Sequence, residues 1–147
     1  MIILDTNVIS ELLRPQPTEQ VIRRLKTFRS ADRFTTAITE AEIRYGFAIL
    51  PPGRRRHSLQ VEIDCIFREI FSERILPFDS DAARAYSEIA AERRTRGIPI
   101  SQSDAQIAGI TRVHAATLIT RNHRDFQGCR FPVVDIPGIP DSLGQAG

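Results

Sequence analysis

Two hydrophobic rhythms alternate along the chain. Met1 to Leu4 is an unbroken apolar run, the pattern of a strand covered on both faces. From about Asn7 to Leu13 the spacing becomes helical and stops at Pro15 and Pro17, and a second helix is predicted from Thr18 to Phe28 with Thr18 as its cap. "RFTTAI" reads as a short strand and "TEAEIRYGFAIL" as a helix closed by Pro51 and Pro52. An amphipathic stretch from about Gly53 to Phe71 precedes a brief strand in "RILPF". Two helices follow, "SDAARAYSEIAAERRTRG" and "SQSDAQIAGITRVH", then a buried strand "ATLIT" and a last strand "PVVDI". Such alternation predicts one α/β domain with a short, mainly parallel sheet flanked by helices, and a Gly- and Pro-rich tail from 137 to 147.

Acidic residues interrupt this pattern at four places. Asp5 ends the first strand, and in parallel α/β sheets ligands bind beyond the carboxyl ends of the strands. Its bland role is a helix cap, although Asn7 is able to serve there too. In "ITEAEIRYGFAIL", counting about 100° per residue groups Ile38, Ala41, Tyr45 and Ile49 on one face, with Glu42 inside that arc and Glu40 outside it. A carboxylate facing a core needs a partner, so Glu42 is expected to meet donors or a cation, whereas Glu40 needs only water. Ile43, Phe47 and Leu50 form a second apolar side, which calls for burial between layers or a protein partner.

Asp104 aligns with Ile107, Ala108 and Thr111, the inward side of its helix. Taken by itself, Asp104 is explained better by first-turn capping with Ser101 than by catalysis. Ala105, Ala108 and Gly109 are small enough to let a neighbouring helix come close. The fourth place, "TRNHRDF", offers Asn122 and Asp125 as oxygen donors or as an ordinary polar turn. His123 has no second histidine at zinc spacing. An oxygen-rich set of this kind suits hard Mg²⁺ or Mn²⁺, which activates water and stabilises phosphoryl charge.

Composition adds modest constraints. The 147 residues carry a net charge of only +2, so the protein is no polycation. Lys26 is the sole lysine among many arginines, a choice that suits phosphate or simply reflects coding bias. "RRRH" at 54–57 and "RRTR" at 93–96 are basic runs, and Arg121 and Arg124 flank the fourth acidic place as better-placed candidates for gripping a phosphodiester backbone. Cys65 and Cys129 have neither metal spacing nor the numbers for a disulfide scaffold, and no apolar run spans a membrane. A cytoplasmic protein is the expectation.

"LDTNVISEL", "AEIRYG", "SDAQIA" and "TRNHRDF", in that order, resemble PIN-domain ribonucleases of the VapC toxin type. "ILPPGRRR" and "RILPFD" are similar to the branch that includes the FitB-like proteins. The resemblance implies a PIN-like three-layer fold over residues 1–136 and Mg²⁺- or Mn²⁺-dependent cleavage of RNA. It implies inhibition by a cognate VapB-type antitoxin and a homodimer within a larger toxin–antitoxin complex. By motif position Asp5, Asp104 and Glu42 would hold the metal, and the Thr6 hydroxyl would support Asp5. Some relatives carry an acid where Asn122 stands, which leaves Asn122 or Asp125 as the fourth catalytic position. Two rival readings are an inactive PIN-like protein-binding module and an aspartyl-phosphate phosphatase using Asp5.

Overall fold

The computed structural model describes residues 1–136, and the tail expected at 137–147 lies outside the described residues. The strands are β1 (Ile2–Leu4), β2 (Arg33–Thr36), β3 (Ile75–Leu76), β4 (Thr117–Thr120) and β5 (Val133–Asp135). They form one sheet in the order β3-β2-β1-β4-β5, and every pairing is parallel. β1 is central: Ile2 and Ile3 pair with Arg33 and Phe34 on one side and with Thr117 and Leu118 on the other.

Period-two alternation divides the core into two layers. Ile2, Leu4 and Ile119 face a cluster containing Val8, Ile9, Val21, Leu25, Ile63 and Phe67. Those residues come from α1 (Thr6–Leu12), α2 (Glu19–Lys26), α4 (Arg54–Cys65) and the wider π turn, Ile66–Ile70, that continues it. Ile3 and Leu118 face the opposite cluster, with Ala82 and Ile89 of α5 (Ser80–Thr95) and Ile107, Ala108 and Ile110 of α6 (Gln102–Val113). Helices thus cover both faces, the three-layer arrangement expected from the sequence. α3 (Ala37–Ala48) leaves β2 directly and crosses the carboxyl edge of the sheet.

Small residues decide how α5 meets α6. A Cβ on Gly109 would stand 2.7 Å from the Ala82 carbonyl oxygen and 3.0 Å from the Tyr86 nitrogen. Only hydrogen fits there, so the close approach expected from Ala105, Ala108 and Gly109 is real.

The facing of α3 is the reverse of the sequence expectation. Tyr45 and Ile49 are 68% and 66% exposed, Thr39 and Ile43 are buried, and Phe47 packs against the first cluster. Apolar residues line both sides of this helix, so periodicity alone could not select the inner one. Glu42 reaches the interior edge because it borders Thr39 and Ile43, not because it shares a face with Tyr45. Thr18 differs as well: it precedes α2 without a side-chain capping bond, because its hydroxyl donates to Glu11.

Candidate active site

β1 ends at Asp5 beside the ends of β2 and β4, which concentrates polar side chains at one edge of the sheet. Asp5 is only 3% exposed. It caps α1, accepting a 2.8 Å hydrogen bond from the Thr6 N–H at Oδ1. Its other oxygen, Oδ2, accepts from the Thr120 hydroxyl at 2.7 Å. The capping role that Asn7 was able to fill therefore belongs to Asp5, and α1 begins one residue earlier than the spacing suggested.

Asn7 has a different task. Its Oδ1 accepts from the Arg121 N–H at 3.2 Å, and its Nδ2 donates to Thr120 Oγ1 at 3.2 Å. The Thr6 hydroxyl donates to Glu42 Oε1 at 2.8 Å and lies 3.0 Å from the Thr39 hydroxyl. Thr6 thus holds Asp5 through its backbone and Glu42 through its side chain, which corrects the expectation that its hydroxyl supports Asp5. Asp104 occupies the first turn of α6, where its N–H donates to the Ser101 hydroxyl at 3.2 Å. The cap accounts for the backbone of Asp104 and leaves its carboxylate directed to the pocket.

A cavity of about 460 Å³ is lined by the acids Asp5, Glu42 and Asp104 together with Thr6, Asn7, Arg121 and Asn122. Of the two candidates for the fourth position, Asn122 lines the cavity. Asp125 is exposed and outside the lining, yet it is close enough to Asp104 to disfavour ionisation there. Arg121 borders the cavity, whereas Arg124 is exposed and does not.

Burial pushes Asp5 up from 3.8 to about 6, against the bonds from Thr120 and Thr6, and the charges of Asp104 and Glu42 push the same way. Asp104 is also raised, first by burial, then by Asp125 and Glu42, while the Ser101 hydroxyl and Arg93 oppose this. Carboxylates held together in this manner favour either protons or a cation. The donors are all oxygens, the chemistry of Mg²⁺ or Mn²⁺. Among the described residues no three acidic, His or Cys side chains close tightly enough to cage an ion alone. Mg²⁺ keeps several waters and takes one or two carboxylates together with substrate phosphate. The oxygen donors of the cavity fit such an ion, which Asp5, Asp104 and Glu42 would hold.

Three contributors were missed from the sequence. Thr120 looked like the end of a buried strand, and Asn7 like a cap. Glu11 drew no reading from the sequence, yet it is 1% exposed and lines the cavity. Its Oε1 accepts from the Thr18 N–H at 2.9 Å, and Arg14 donates to Oε2 at 3.3 Å. Although burial acts in the opposite direction, the Thr18 and Arg14 bonds hold Glu11 below the usual carboxylate range. Glu11 thus has a cationic partner in Arg14, whereas the hydrogen bonds to Asp5 come from the neutral Thr6 N–H and Thr120 hydroxyl. The two prolines at 15 and 17, which bring Thr18 back over α1, were the only available signal.

Fold and pocket together define a parallel α/β domain whose acids gather at the carboxyl ends of its central strands. The chain belongs to the PIN-domain family, whose model matches residues 2–131. It is 40% identical over 126 residues to Toxin FitB of Neisseria gonorrhoeae, which spans 86% of this chain and 91% of that protein. It is 34% identical over 135 residues to VapC ribonuclease Y4jK of Sinorhizobium fredii, covering 92% of this chain and 96% of the relative. The structure of FitAB bound to an IR36 DNA fragment matches with a TM-score of 0.87 and 37% identity, over 95% of this chain and 98% of the other. FitAcB from Neisseria gonorrhoeae gives 0.84 and 37%, over 95% and 100%.

Proposed function

We propose that the protein is a Mg²⁺- or Mn²⁺-dependent endoribonuclease acting as the toxin of a type II toxin–antitoxin pair in the cytoplasm. The observation that carries this is the convergence of Asp5, Glu42 and Asp104 on one cavity, with Asp5 raised to about 6 by burial and by its acidic neighbours. A divalent ion bound there would supply a nucleophilic water and would stabilise charge on the phosphodiester. Asp5 and Asp104 would hold the ion, and Glu42, fixed by the Thr6 hydroxyl, would complete the acidic wall. Asn122, which lines the cavity, would orient water, and Asp125 would add negative charge near Asp104. Arg121, beside Asn122, is suited to hold the phosphate that enters.

Similarity to a VapC ribonuclease and to the toxin of the FitAB complex supports RNA as substrate and a VapB-type antitoxin as partner. The same likeness supports assembly as a dimer within such a complex. Among the described residues no helix is long and apolar enough to cross a membrane. Direct attack by Asp5 on a phosphoryl group fits poorly, since the side chain is buried and both of its oxygens already accept hydrogen bonds.

The test is cleavage of single-stranded RNA with Mn²⁺ or Mg²⁺. Wild-type protein is expected to cut internally, EDTA to stop it, and Asp104→Asn to reduce the rate by about a hundredfold or more. Cleavage that persists in EDTA and in both Asp5→Asn and Asp104→Asn would overturn the assignment.

A further inference from the structure

Arg93 is only 6% exposed, an unusual position for a guanidinium. It lies in the last turn of α5, where the sequence suggested an ordinary basic helix end. Its bonds are directed elsewhere. Nε donates to the Ile98 carbonyl at 2.7 Å, and one terminal nitrogen donates to the carbonyls of Asp125 at 2.8 Å and Gln127 at 3.2 Å. Each of these oxygen acceptors is a main-chain carbonyl, so no carboxylate bond neutralises the charge in this set.

The two segments gripped are the ones that carry acids. α5 ends with Gly97 at φ +74°, the Ile98 N–H returning to the Arg93 carbonyl at 3.0 Å and the Gly97 N–H to the Arg94 carbonyl at 3.1 Å. Three residues after Ile98 comes Ser101, the cap of α6, and then Asp104. Pro99 stiffens the short path between them. On the other side, the Asp125 carbonyl belongs to the turn that follows Asn122. One side chain therefore bridges the segment that leads into α6 to the turn of the fourth position.

We propose that Arg93 is a positioning residue for the acidic pocket: its guanidinium fixes the spacing between Asp104 and the turn carrying Asn122 and Asp125. The inference rests on the metal-dependent nuclease reading. Its physical basis is the bridge itself: Nε holds the Ile98 carbonyl on the path into α6, while a terminal nitrogen holds the Asp125 and Gln127 carbonyls of the turn after Asn122. A planar fork can serve carbonyls on two segments at once, whereas a lysine ammonium lacks that fixed geometry.

Arg112 provides the control. Its Nε and a terminal nitrogen donate to the Cys129 carbonyl at 3.2 and 3.0 Å, so it steadies the same loop further along without touching the Asp125 turn. Mn²⁺ binding is measured by electron paramagnetic resonance titration, well below each protein's melting temperature, alongside the Mn²⁺ concentration giving half-maximal RNA cleavage. Arg93→Met is expected to weaken Mn²⁺ binding by about tenfold, the scale of losses from outer-shell changes at metal sites. Arg93→Lys, which keeps the charge and is the milder variant for folding, is expected to weaken it by about threefold or more. Both should shift the half-maximal concentration in step. Arg112→Met is expected to lower the melting temperature while leaving Mn²⁺ affinity within about twofold. Arg93 variants that lose stability but bind Mn²⁺ like the wild type would overturn the proposal, as would an equal loss of affinity in Arg112→Met. Wild-type protein that binds no Mn²⁺ would instead overturn the nuclease reading, and this proposal with it.

Discussion

Thr120 and Asp5 are separated by 115 residues in sequence, and the Thr120 hydroxyl donates a 2.7 Å hydrogen bond to Asp5 Oδ2. The direction of that bond is forced. Thr120 Oγ1 also receives the Asn7 amide nitrogen at 3.2 Å and the Asn122 N–H at 3.1 Å, both donors, so its single proton points to Asp5. Asn7 cannot be flipped, because its oxygen accepts from the Arg121 N–H. One hydroxyl therefore links the first and fourth acidic segments and fixes the orientation of the Asp5 carboxylate.

Replacing that hydroxyl with a methyl group tests the linkage. Thr120→Val keeps the β-branched shape of a strand residue but removes the donor to Asp5. RNA cleavage is expected to drop by about 10–100-fold at a fixed Mn²⁺ concentration, with Thr120→Ser recovering most of it. Equal rates for Thr120→Val and the wild type would show that Asp5 needs no such alignment.

Asp5 should also govern how stability changes with pH in metal-free protein. Burial raises its folded value to about 6 against 3.8 for the free group. Between these values the folded chain keeps a proton that the unfolded chain has released. This group's contribution to stability therefore falls as pH rises through that window and stays low above it. The full difference corresponds to about 3 kcal/mol. In EDTA, Asp5→Asn should consequently melt higher than wild type at pH 7.5, with the advantage gone near pH 4. Mn²⁺ should raise the wild-type melting temperature at pH 7.5 and leave that of Asp5→Asn unmoved.

Glu11 has the opposite character. Its lowered value means that it stabilises the fold above the usual glutamate range, and this contribution is lost as pH falls through its folded value. Glu11→Ala strands the Thr18 N–H and opens a small void, at a cost of about 2 kcal/mol. Thermal melts should show a decrease of roughly 4–8 °C, while the extra stability conferred by Mn²⁺ is retained.

At the α5–α6 contact, Gly109→Ala drives a methyl group into the Ala82 carbonyl and the backbone at Tyr86. Both obstacles are main chain and cannot rotate away. A loss of about 1–3 kcal/mol in urea unfolding is expected, the reverse of the usual gain from glycine to alanine within a helix.

The elements were legible because their signals are local. The unbroken run at Ile2–Leu4, the Pro15 and Pro17 stop, and the Gly97–Pro99 break each mark a boundary by a mechanism confined to a few residues. Asp5 and Asp104 could be placed because strand ends and first helical turns have fixed positions in a parallel α/β domain. Glu42 was placed in the right region for the wrong reason, since the inner face of α3 is marked by Thr39 and Ile43 and its outer face carries the larger side chains. Thr120, Glu11 and Arg93 were not legible. Each acts through a partner supplied by the fold, Asp5 for Thr120, Thr18 for Glu11 and the Asp125 carbonyl for Arg93, and no spacing within a segment announces such a pairing.

Crystals of the metal-free protein soaked in Mn²⁺, with anomalous scattering recorded at the manganese edge, test the central claim most directly. An anomalous peak is expected within about 2.5 Å of carboxylate oxygens of Asp5 and Asp104, with Glu42 alongside and water completing the ligand set. A soak at millimolar Mn²⁺ that leaves this cavity without a peak, or that places manganese away from both aspartates, would contradict it.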